Sequence, residues 1–185
     1  MSPLSLSRPG PDESAAFYHG YIDKVPGEQI GTYLADQPRE MERLLASLDD
    51  AGGRTRYAPG KWSVKEVLGH LCDAERIFAY RLLRIARADS TPLPGFDENA
   101  YVPPAEFDAR PLPHLLREFQ ALRASTIELV EGLPAAAWER RGQASGKSIS
   151  TRAIAYIIVG HVTHHLGVLR ERYGLSSSPG AMAAV

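Results

Sequence analysis

Two histidines four residues apart, His161 and His165, fall on the apolar stripe of a helical pattern. Ile154, Ile157, Ile158, Leu166 and Leu169 recur around them at about 3.6-residue spacing. An imidazole on a core-facing stripe is costly to desolvate unless something offsets the loss. Residues i and i+4 leave a helix on one face, a turn apart, so the two rings can converge on a point. Converging neutral imidazoles are ligands for a divalent transition metal. A third candidate, His70, lies far upstream on another helical pattern. Three nitrogen ligands from two helices would leave coordination positions open to water or substrate. The spacing alone leaves a second reading open, with one buried, hydrogen-bonded histidine and one at the rim. His164 points about 100° away from His165, and is expected to face solvent or support the site.

The elements that must position these side chains read as four long helices. The first spans about Gly27 to Asp50, with Pro38 predicting a kink or break near Asp36 to Gln37. The second opens at Trp62-Ser63-Val64-Lys65-Glu66, where Ser63 and Glu66 form a capping box. Its stripe is Val64, Val67, Leu71, Ala74, Phe78, Leu82 and Ile85, with His70 on the flank. The third runs from about Pro113 to Leu133, and the fourth from about Ser150 to Tyr173, ending at Gly174 after a cationic last turn. One or two helical turns are expected around Ser14 to Ile22, and strand signals are nearly absent. The connection from Asp89 to Leu112 is long and proline-rich, able to run the length of a bundle and join two parallel helices. The fold class is therefore all-α, a four-helix bundle with a long crossover between helices 2 and 3. Residues 1–13 are expected as a mobile arm, 14–174 as the bundle domain, and 175–185 as a mobile tail.

Composition narrows the function classes. The 185 residues are 44% hydrophobic and 23% charged, ordinary for a soluble domain. A net charge of −1 offers no basic footprint for nucleic acid. No apolar run is long enough for a membrane span, and the N-terminus lacks the pattern of a secretory signal. The single cysteine, Cys72, excludes an intramolecular disulfide and suits a reducing compartment. A cytoplasmic location is expected.

Read together, Trp62-Ser63-x-x-Glu66-x-x-x-His70 and His161-x-x-His164-His165 resemble the two signatures of the DinB-like superfamily, over about residues 28 to 174. The resemblance implies a bundle in an up-down-down-up order and a metal on its axis, with His70, His161 and His165 as ligands. It also implies a homodimer. Zinc or nickel comes first among the metals, with iron, manganese or copper also open.

The function that the resemblance implies is a metal-dependent transferase that presents a low-molecular-weight thiol, of the bacillithiol or mycothiol type, to an electrophilic small molecule. A hydrolase using the same centre on water is a close variant. The alternative is a non-catalytic, stress-associated metal-binding or interaction protein, favoured if Asp73, Glu75 or a crossover residue supplies a fourth ligand. Glu66 is expected to cap rather than orient a ligand, and Trp62 to pack at the bundle end. Asp73 and Glu75 are expected as solvated helix-face charges, and Asp97 and Tyr101 as anchors of the crossover. Cys72 is expected to be partly buried and inert. Arg170 or Lys147 is positioned to recognise a carboxylate on such a thiol.

Overall fold

The computed structural model describes residues 4–176. Over this range the helices are α1 (His19–Ile22), α2 (Ile30–Leu45), α3 (Val64–Ala86), α4 (Glu98–Ala105), α5 (Leu112–Glu131) and α6 (Thr151–Tyr173). The long four, α2, α3, α5 and α6, form the bundle. Their ends follow from local chemistry. Ser63 Oγ accepts from Glu66 N at 3.0 Å, while Glu66 Oε2 accepts from Ser63 N at 2.7 Å, closing the expected capping box on α3. Ser150 Oγ caps α6 through Ala153 N, and Gly174, at φ 68°, ends it in the left-handed conformation that a Cβ disfavours.

Cross-helix pairs define the topology. Cys72 meets Leu115 and Arg76 meets Glu118, so α3 and α5 run parallel. Glu42 meets Gln120 while Gln37 meets Arg123, so α2 and α5 run antiparallel. Gln37 meets Thr163 and Glu40 meets Arg170, so α2 and α6 run parallel. The order is up-down-down-up. Residues 87–111 return the chain along the bundle between the two parallel helices, and α4 lies within that crossover.

α2 is shorter than the sequence pattern implies, and Pro38 sits inside it without ending it. A proline at 38 denies the Leu34 carbonyl its intrahelical donor. Arg123 Nη1 lies 3.5 Å from that oxygen. Arg123 is the largest fully buried side chain of the fold, and its guanidinium makes a bidentate pair with Glu75 at 2.8 and 2.9 Å. Its Nη1 also donates to Gln37 Oε1 at 2.6 Å. Gln37 Nε2 then donates to Val159 O and to Thr163 Oγ1 on α6. Glu75 is thus not the solvated charge expected of it; it is 3% exposed and neutralises a cation that crosses the core. Asp73 is half-buried and lies near Arg76 on the same helix.

Two further features depart from the sequence reading. Between α5 and α6, β1 (Arg141–Ala144) and β2 (Lys147–Ser150) form an antiparallel hairpin. Its turn residues Ser145 and Gly146 have φ of 53° and 72°, the positive pair that a two-residue hairpin turn of type I′ requires. Leu93 of the crossover bonds to this hairpin through Gln143 O and Ser145 N.

The arm expected to be mobile is, over residues 4–13, packed on the bundle. Leu6 is buried, its N–H donates to Glu28 O, and its carbonyl accepts from the Tyr156 hydroxyl. Glu13 is the anchor, because its carboxylate accepts from Arg152 Nε and Nη2, Ser150 Oγ and Gly10 N. These donors favour the ionised form. In the tail, Leu175 packs against the core and the remainder from 177 lies outside the described residues.

The Arg152 guanidinium, with the Gly10 and Ser150 donors, holds the Glu13 carboxyl down at about 2, against 4.5 for the free side chain. A depressed carboxylate stabilises the fold fully above its unfolded value and loses that contribution as pH falls through the folded value. Chemical denaturation should therefore find Glu13→Gln less stable than the unsubstituted protein above pH 4.5. The gap should close between pH 4.5 and about 2. A pH-independent gap would mean that Glu13 acts by packing alone.

Candidate metal centre

A glycine precedes the histidine on each of the two helices, and each lets another element of the fold seat against that helix. A Cβ on Gly69 would lie 2.4 Å from the Phe107 ring, so the residue before His70 must be bare for the crossover to seat. A Cβ on Gly160 would lie 2.0 Å from Tyr21 O, so the residue before His161 must be bare for α1 to seat. Within that frame α3 carries His70, and α6 carries His161 and His165 on successive turns of one face. All three are buried, and one ligand nitrogen from each lies within 4.8 Å of the others. His70 Nε2 and His161 Nε2 are 3.0 Å apart.

The surroundings keep the cluster neutral. Burial first, and then the charge of His164, pushes His70 down to about 4. Burial first and the neighbouring imidazoles second push His161 and His165 well below the usual histidine value. Three deprotonated imidazoles present lone pairs at neutral pH, the form that a divalent cation binds. His165 Nδ1 is buried with no hydrogen-bond partner, a cost that a purely structural histidine would not carry. The donor set therefore fits a transition metal. Among the described residues no carboxylate or thiol joins the cluster, so the fourth protein ligand that would close the site is missing.

The cluster opens on a cavity of about 610 Å³ with largely aromatic walls. Trp62 lies over His70 at 4.8 Å between ring centres, so it is a wall of the site as well as packing at the bundle end. Tyr21 and Phe78 meet His161 edge-on at 5.2 and 5.6 Å. His164 is half-buried, also meets Tyr21, and faces the cavity beside the cluster rather than within it. Glu98 and Lys147 bring charge to the walls.

The remaining candidates divide clearly. Glu66 caps α3 and pairs with Arg56. Asp97 caps α4 through Asn99 N, and Tyr101 lies over Phe96 outside this cavity, as anchors of the crossover. Arg170 pairs with Glu40 and takes no part in the lining. Cys72 is fully buried, more so than expected, and burial pushes its thiol up to about 12. Tyr21 and Phe96 escaped the sequence reading because α1 and the crossover carry no periodicity that aims a ring at the histidines.

His161→Ala and His165→Ala should each lower bound metal at least about tenfold, measured by elemental analysis of protein without a histidine tag. His164→Ala should retain it. Glu66→Ala should retain metal too, while costing about 0.5–2 kcal/mol of stability. Equal metal loss in all four variants would contradict the ligand assignment.

A family model described as the DinB superfamily matches residues 33–169. The chain is similar to a Bacillus pumilus (strain SAFR-032) protein named "Putative metal-dependent hydrolase", 24% identical over 159 residues, covering 83% of this chain and 90% of that one. In structure it resembles YfiT of Bacillus subtilis, described as "a probable metal-dependent hydrolase with an unusual four-helix bundle topology". That likeness has a TM-score of 0.69 at 20% identity and covers 91% of this chain and 94% of that one. It also resembles a mycothiol-dependent maleylpyruvate isomerase, with a TM-score of 0.63 at 14% identity, over 85% of this chain and 64% of that one. The structural likenesses carry the fold, and the family match extends over most of the chain: the protein belongs to the DinB superfamily.

Proposed function

We propose that the protein is a metal-dependent enzyme that joins a small external nucleophile to an electrophilic small molecule, with a low-molecular-weight thiol as the preferred nucleophile. The observation that carries this reading is a cluster of three neutral imidazoles, short of a fourth ligand among the described residues, on a largely aromatic cavity. His70, His161 and His165 would hold the metal. When bound, a divalent cation supplies positive charge that stabilises a thiolate or a hydroxide.

The chain's own residues set the rest. Neutral ligands leave the charge of the cation uncompensated, which favours an anionic nucleophile at the open position. Trp62, Tyr21 and Phe78 exclude water from around it and so strengthen that electrostatic term. Among the described residues no side chain is placed as the nucleophile: Cys72 lies in the core away from the cavity, and the Ser145 hydroxyl is engaged by Arg81. No carboxylate among the described residues stands in the histidine cluster to take a proton from water. A thiol, with an ordinary value near 8.5, gives up its proton far more readily than water does. That difference favours the thiol.

A second reading, hydrolysis by the same centre, has the names of the two Bacillus relatives in its favour. The non-catalytic alternative loses its main support, since neither Asp73 nor Glu75 reaches the cluster.

Zinc- and nickel-loaded protein should conjugate mycothiol or bacillithiol to monochlorobimane, and His161→Ala should abolish the reaction. Metal-dependent cleavage of 4-nitrophenyl esters without thiol consumption would favour the hydrolase. Neither activity after confirmed metal loading would overturn the enzymatic reading.

A further inference from the structure

One wall of the cavity is backed by a buried cation that no carboxylate neutralises. Arg81 on α3 is 2% exposed and, among the described residues, forms no ion pair. Its guanidinium hydrogen bonds go to neutral acceptors: the Tyr18 hydroxyl at 3.3 Å, the Pro94 carbonyl at 2.7 Å and Ser145 Oγ at 3.2 Å. It also lies over the Phe96 ring, 5.6 Å from its centre. A buried guanidinium is expensive to leave without a counter-charge. Arg123, in the same bundle, has Glu75 for that purpose.

Tyr18, Phe96 and Ser145 all line the cavity, so each of Arg81's three contacts with side chains leads to the same space. The two hydroxyls accept from Arg81, which leaves their own protons free to donate onward into the cavity. Lys147, two residues beyond Ser145 on β2, lines the same space and also forms no ion pair among the described residues. Glu98, the one carboxylate in the lining, pairs with neither cation among the described residues. Arg81 follows His70 by eleven residues, about three turns, which returns it to the same face of α3. Ala74 and Phe78 line the cavity between them.

We propose that this wall is an anion subsite. The cavity takes an elongated small molecule whose carboxylate is held by the Tyr18 and Ser145 hydroxyls and by Lys147, over the charge of Arg81, while its other end meets the histidine cluster. This rests on the reading of the cavity as the substrate site and adds the charge and shape of what it takes. The thiol co-substrate, or the electrophile, is then a carboxylic acid with its reactive group several bonds from the acid.

The test is isothermal titration of 8-mercaptooctanoate against its neutral isostere 8-mercaptooctanamide, with zinc-loaded and with metal-free protein. The acid should bind at least about tenfold tighter than the amide in both forms, as charge-assisted hydrogen bonds require. Ser145→Ala, Tyr18→Phe and Lys147→Ala should each weaken the acid and leave the amide unchanged. Arg81→Gln should remove the preference; if that variant fails to fold, the three lining variants carry the test. Equal affinities, or binding of neither probe, would overturn the subsite. So would a preference that disappears with the zinc, since the carboxylate would then be a metal ligand. A preference that persists while zinc adds nothing to thiol affinity would support the subsite and count against metal-thiol chemistry.

Discussion

Bringing three imidazoles together away from water is the constraint that organises this fold. Each ring loses hydration, and their mutual repulsion when charged forces all three to be neutral. Two features of the backbone shape what surrounds them. Gly69 and Gly160 each stand one residue before one of these histidines and admit Phe107 and the Tyr21 carbonyl at distances that exclude a Cβ. The elements they admit, the crossover and α1, then close two sides of the cavity. The walls of the site therefore depend on these two close approaches.

A second polar device sits deeper in the bundle. Arg123 reaches from α5 to Glu75 on α3 and Gln37 on α2, and Gln37 passes the connection to Val159 and Thr163 on α6. All four helices are thus tied by directional bonds at one level, close to the turn that presents His161. Apolar side chains would bury comparable surface at that level without fixing how far α6 slides against α3. A hydrogen-bonded network does fix it, because each bond has a narrow range of distance and angle. Pro38 belongs to the same arrangement, since it leaves free the Leu34 carbonyl that Arg123 approaches.

Much of this was legible in the sequence, for identifiable reasons. The i, i+4 spacing of His161 and His165 on an apolar stripe announces convergence, and the Ser63–Glu66 box and Gly174 announce where α3 begins and α6 ends. The parallel pair α3 and α5 follows from the length of the crossover. Buried charge was not legible: Glu75 and Arg123 look like solvated helix-face residues, and only their pairing across 48 positions makes burial affordable. Arg81 is hidden too, buried on neutral acceptors of the crossover, the hairpin and the N-terminal segment. The N-terminal segment reads as mobile from its prolines and serines, yet Glu13 fastens it to Arg152, a partner 139 residues away. The hairpin is short, with Ser145-Gly146 as its only local signal, too weak to stand out between two long helices.

The most direct measurement is the zinc X-ray absorption spectrum of the loaded protein, recorded before and after addition of a small thiol. Three imidazole nitrogens at about 2.0–2.1 Å with one further light atom should describe the first shell, and a sulfur at about 2.3 Å should replace that atom once thiol is present. A shell with fewer than three imidazoles, or one already closed by a fourth side chain and unchanged by thiol, would contradict an open three-histidine centre built for an external nucleophile.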